Sequence, residues 1–101
     1  MKFDIVGKFK VFTAFQITGR GLFLVGELKS GTVKVGDYIN LTMIDSTLVP
    51  NISAVELVLR YEENEAVEDL AIGVKELDDI VLSKVQDSIS LLQTISILSN
   101  D

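Results

Sequence analysis

A chain of 101 residues with 48% apolar residues is long and apolar enough for one domain with its own core, which excludes a disordered chain. It has neither cysteine nor histidine, which excludes disulfides, thiolate catalysis, cysteine zinc sites, a Ser-His-Asp triad and a histidine pH switch. The net charge of −6 is uneven: residues 1–36 hold six Lys/Arg against two acids, and residues 37–101 hold three against thirteen. General nucleic-acid binding is therefore disfavoured, because phosphate contacts need clustered cations.

Taken in chain order, period-2 patterns and turn residues dominate. "MKFDIVGKFKVF" carries charges throughout, so no secretory leader is expected there, and no apolar run reaches a membrane span; a cytoplasmic setting is expected. "DIVGKFKVFTAFQI" reads as two strands ending before Gly19. "LFLVGELK" reads as a strand, Ser30-Gly31 as a turn and "TVKV" as the return strand. Gly36-Asp37 marks a turn, and "YINLTMI" follows as a strand. Asp45-Ser46-Thr47 and Pro50-Asn51 punctuate a loop before the strand "NISAVELVLR". "YEENEAVED" reads as an acidic loop, "LAIGVKEL" as a strand, and "DIVLSKV" as a closing strand. The tail "DSISLLQTISILSND" fits two patterns. Leu91, Leu92, Ile95 and Leu98 make one helical face with Asp87 or Ser88 as cap, whereas Ile89/Leu91 and Ile95/Ile97 alternate as in a strand; the helical pattern is preferred. The expected fold is all-β: a small closed Greek-key-like barrel of six or seven strands over residues 1–86, with residues 87–101 as an apolar tail packing on the barrel or a partner.

The glycines of "ITGRGLFLVGEL" do not make a phosphate loop. Gly31 and Gly36 have the first spacing of a P-loop, but Asp37 and Tyr38 follow where Lys and Ser/Thr are needed. After Gly19 and Gly21 the third glycine of a dinucleotide fingerprint is replaced by Leu24, inside a strand. Gly19, Gly21, Gly31, Gly36 and Asp37 are instead read as structural turns, and Gly26 as a bend or close backbone approach. No nucleotide or cofactor is expected.

"FQITGRGLFLVGELKSGTVKVGDYINL" resembles the second domain of elongation factor Tu and related translational GTPases. Phe15, Ile17, Gly19, Arg20, Gly21, Gly26, Gly31, Val33, Lys34, Gly36 and Asp37 stand in step with that family's motif. A weaker similarity continues through "ISAVELVLR" and "AVEDLAIGVKELDDIVLSKV", so it covers roughly residues 9–86. Glu68 and Ser83 depart from it by replacing glycines. The resemblance implies a free-standing middle barrel without GTPase activity. It also implies an outer pocket for the aminoacyl and adenosine end of tRNA, carried here by Phe23, Val25, Glu56, Leu59, Leu70 and Val74. Glu56 keeps the family's glutamate, but Leu59 stands where arginine is usual and Leu70 where asparagine is frequent, which removes polar partners of a nucleotide. Arg60 comes one residue late and should face the other way.

Strand parity supports an outward patch. If Leu22, Leu24 and Leu28 fill the core, Phe23 and Val25 point outward, where they either form an interaction site or are covered by the tail. Glu62, Glu63, Glu65, Glu68 and Asp69 lack a calcium-loop pattern and read as a solvated loop, and no Ser or Thr has a recognisable general base. No metal and no catalytic residue are expected. The sequence therefore predicts a non-catalytic binding module that engages a protein partner or itself. The alternative is a translation-linked binder of a tRNA end or other RNA.

Overall fold

Period-2 alternation builds a sheet in the computed structural model, which describes residues 3–75, 77–87 and 94–100. The elements are β1 (Phe3–Ile17), β2 (Gly21–Gly31), β3 (Tyr38–Ile39), β4 (Ala54–Glu62), β5 (Glu65–Val74), α1 (Asp79–Asp87) and β6 (Thr94–Asn100). They form one six-stranded sheet in the order β3-β6-β1-β2-β5-β4, with every neighbour antiparallel. The sheet curls into a half-barrel.

β1 is one strand of fifteen residues rather than two. Register shifts at Lys8/Phe9 and Val11/Thr13 let it bend without breaking; Phe3–Lys10 pair with β6 and Gly7–Ile17 with β2, so residues 7–10 have a strand on either side. At the second shift Gly26 lies opposite Val11, and a side chain there would run into the Lys10 carbonyl oxygen. The close approach read from the sequence is thus where β1 bends. The core on the inner face gathers Phe9, Val11, Leu22, Leu24, Ile39, Leu41, Ile52, Ile72, Val74, Val85, Ile95 and Ile97.

φ is positive at Gly19, Gly21, Gly31 and Gly36; Gly19 and Gly36 lie in turns, whereas Gly21 opens β2 and Gly31 ends it. Asp37 follows Gly36, buried, with its amide donating to the Lys34 carbonyl and its carbonyl accepting from Ile52. After Gly31, however, "TVKV" does not return as a strand. Thr32 N–H donates to the Val6 carbonyl at 2.9 Å, which carries the chain on alongside β1. "YINLTMI" shortens to Tyr38–Ile39 because the Asn40 Oδ1 accepts from both the amide and the hydroxyl of Thr42, turning the chain. The run 48–52 then lies beside 36–41: Ile39 N–H donates to Pro50 and Leu41 N–H to Leu48.

Three further expectations are corrected. "YEENEAVED" is not a loop but the tip of the β4–β5 hairpin, in which only Glu63 and Asn64 lie between the strands. "DIVLSKV" is helix α1, not a closing strand: the Asp78 carboxylate accepts from the Val81 amide as an N-cap, and Val81 and Val85, one turn apart, turn to the core. The helical reading of the tail fails over 94–100, which is strand β6; residues 88–93, with Leu91 and Leu92, lie outside the described residues. β6 is no outer layer: it sits inside the sheet between β1 and β3, with Ile95 and Ile97 fully buried. Among the described residues no helix is long and apolar enough to cross a membrane.

Candidate functional site

The six residues of the expected patch divide between the two faces of the sheet. Rows across the strands decide this. Phe15, Phe23, Gly73 and Ala54 stand in one row, and Thr13, Val25, Ala71 and Glu56 in the next. Phe23, Val25 and Glu56 therefore share the outer face, as parity required. Val74 pairs with Leu22 and Leu70 with Leu57, so both face the core; Leu59, two residues from Leu57, shares that inner face. The six do not form one pocket.

Nor is the outer half open. Phe23, Val25 and Ala71 form a small second cluster with Ile17 and Ala54. The Phe15 ring stacks on Phe23 with centroids 5.9 Å apart, and Gly73 leaves room for the Phe23 ring, since a Cβ there would stand 2.9 Å from it. The Arg20 guanidinium lies 4.8 Å over Phe23 and donates to Glu56 Oε2 at 2.8 Å. Phe23 is left 1% exposed. The cover is made by Phe15, Arg20 and Glu56, and the described part of the tail, β6, lies on the far side of β1.

The open apolar surface is elsewhere, on the hairpin arm. From Leu57 onward β4 is exposed on both faces. Leu57, Leu59 and Tyr61 continue the inner face past the point where the core ends, and are 66%, 61% and 77% exposed. On the opposite face Arg60 points away from Leu59, as expected. Its Nε donates to Asp69 Oδ2 at 2.7 Å and its Nη1 to Glu62 Oε2 at 2.6 Å. These bonds, to Glu62 first and Asp69 second, raise the guanidinium pKa above its ordinary value. Asp69 is buried, so Arg60 also compensates a carboxylate that would otherwise be desolvated alone. The arm is thus a braced ribbon on which β4 sets Leu57, Leu59 and Tyr61 on the inner face, with Glu68 of β5 beside Leu59, and Arg60 and Glu62 on the outer face.

Sequence reasoning missed the arm because its acids were read as a loop signal. The signal that identifies it is the alternation of Leu57, Leu59 and Tyr61 with Glu56, Arg60 and Glu62.

A comparison with known protein families, curated proteins and solved structures finds no match. What the chain does is therefore read from its own surface.

Proposed function

We propose that the chain is a non-catalytic binding module on a barrel of the elongation factor Tu second-domain type, engaging an extended segment of a protein partner or of its own copy along β4. One observation carries this: Leu57, Leu59 and Tyr61 stand exposed on a strand that ends the sheet. An edge strand offers unpaired N–H and C=O groups, and an added strand gains main-chain bonds from that edge and side-chain contacts from alternate residues. The barrel reading is supported by the bonds from 36–41 to 48–52, which tie the run entering β4 to the β3 side of the sheet and make a seam at one end. In the outer patch that the resemblance assigns to an RNA end, Phe23 is covered and offers no open face for stacking, which favours the protein reading.

The test is a photo-crosslinking amino acid at Tyr61, compared with one at Val35, which is exposed away from the arm. Irradiation in cells should give an adduct of discrete mass at Tyr61 and none at Val35. The adduct should disappear when Leu57 and Leu59 are both changed to Asn. Equal or absent adducts at the two positions would overturn the reading.

A further inference from the structure

The run entering β4 is bonded to 36–41 as far as Ile52, where Gly36 N–H donates to the Ile52 carbonyl and Ile52 N–H to Asp37. Ser53 N–H then donates to Gly73, and beyond it β4 is the last strand of the sheet. Its partner β5 returns through Glu63 and Asn64, whose φ values of 53° and 68° make a two-residue turn of the primed type. Such a turn is closed by a hydrogen-bonded pair, here Glu62 and Glu65, and the bonding then alternates along the ladder. The alternation directs the backbone groups of Glu56, Val58, Arg60 and Glu62 towards β5. Those of Val55, Leu57, Leu59 and Tyr61 face the open edge.

We infer that this edge is completed by a second copy of the chain, β4 against β4, antiparallel about a two-fold axis through Val58. This rests on the reading of β4 as the binding edge and names its occupant. The sequence "VELVLRY" is self-complementary in that register. Val58 faces its own copy, Leu57 faces Leu59, Glu56 faces Arg60, and Val55 faces Tyr61. The pairs Leu57/Leu59 and Val55/Tyr61 are those with outward backbone groups, so they form the hydrogen-bonded pairs. Glu56/Arg60 falls at a non-hydrogen-bonded position, where opposite side chains approach most closely. Two such ion pairs form per dimer, one on each side of the axis.

Other centres lose this match. An axis at Glu56 or Arg60 sets like charges against each other. One at Leu59 opposes Glu56 to Glu62. One at Leu57 leaves Glu56 opposite Val58 and Arg60 opposite Ala54. One at Tyr61 does oppose Arg60 to Glu62 but overlaps only residues 60–62 of β4, whereas Val58 pairs the strand from Ala54 to Glu62. Charge complementarity and length of overlap together therefore select Val58 as well as the partner. The same register puts Leu57 and Leu59 of both copies on one face as a contiguous cluster, covering apolar surface that one copy leaves in water. The existing ion pairs leave room for it. Arg20 takes Oε2 of Glu56, and Asp69 and Glu62 take Nε and Nη1 of Arg60, so among the described residues Oε1 and Nη2 remain for the partner.

The absence of cysteine makes the test simple, since a single substitution introduces the sole thiol. Val58→Cys places two thiols across the axis with Cα atoms about 4.5 Å apart, within reach of a disulfide. Glu56→Cys places its two thiols four residues out of register, roughly 13 Å apart. Ser46→Cys is an exposed control outside β4. In the purified full chain under mild oxidation, Val58→Cys should form a covalent dimer at least ten times faster than either of the others. Light scattering of the unsubstituted chain should give twice the chain mass, which keeps the proposal testable should a substitution disturb folding. A monomeric mass with equal linking at positions 58 and 46 would overturn the proposal, as would Glu56→Cys linking as fast as Val58→Cys. A monomer that still gives adducts with another protein at Tyr61 would remove the second copy and keep the binding edge.

Discussion

The glycines of "ITGRGL" look alike in the sequence and differ in the fold. Gly19 and Gly21 both have positive φ, at 81° and 92°, so alanine is strained at either. Around Gly19 nothing lies within 4 Å of an added Cβ. At Gly21 that Cβ would run into the Val74 carbonyl oxygen and stand 3.0 Å from Lys75 Cα, both backbone atoms that cannot swing aside. Gly19→Ala should cost about 1 kcal/mol, the price of the conformation alone. Gly21→Ala should cost at least twice that. Thermal unfolding measures both, since about 1 kcal/mol moves the midpoint by roughly 4–8 °C in a domain of this size. Equal, small shifts for the two would show that the β2–β5 contact at Gly21 is looser than described. Positive φ was legible because glycine alone accepts it without strain. Which glycine also touches a neighbouring strand was not, because that depends on pairing between residues fifty positions apart.

At the scale of elements, alternation was legible and composition misled. Leu22 and Leu24 stand on the face opposite Phe23 and Val25, the split that their alternation required, and the structure makes the leucine face the main core. What parity could not show is that Phe15 and Arg20 close over the outer pair. The acidic run of the arm read as loop because both faces of a projecting ribbon meet water, so charge does not exclude a strand there. "DIVLSKV" read as strand because its β-branched residues favour one, yet the Asp78 cap and the Val81/Val85 spacing prevail. The arm carries a further consequence of its composition. Glu62 and Glu65 are directly opposed across the turn, and like charges in that position destabilise a hairpin. Glu65→Lys should stabilise the arm by about 0.2–1 kcal/mol, slowing amide exchange across β4 and β5 without altering exchange in β1. The gain should shrink in concentrated salt. Unchanged or faster exchange in the arm would mean that the tip opens for a reason other than charge.

Over the whole molecule, the last seven described residues hold the sheet together. The sequence showed that "SISLLQTISIL" was too apolar to stand in water, and that inference holds for Ile95 and Ile97. Its form was missed because a helical face and a strand alternation overlap in the same letters. The sheet decides between them. β6 pairs with β1 from Phe3/Asn100 to Lys10/Thr94 and with β3 at Tyr38/Leu98 and Ile39/Ile97. Without it β1 gains a bare edge and β3 loses its sheet partner. Fully burying an isoleucine contributes roughly 1.5–3 kcal/mol, and the stability of a domain is typically only about 5–15 kcal/mol. Deleting residues 94–101 should therefore abolish cooperative unfolding and leave a dye-binding, aggregating chain. A milder change separates the role of β6 from general damage: Ile97→Ala removes buried side chain at the centre of β6 and should cost about 2–5 kcal/mol. Ile80→Ala, at an exposed helix position, should cost little. Urea unfolding of the two variants reads this difference. A deletion that still unfolds cooperatively near the full-length midpoint, or an Ile97→Ala no weaker than Ile80→Ala, would show that the fold does not depend on β6.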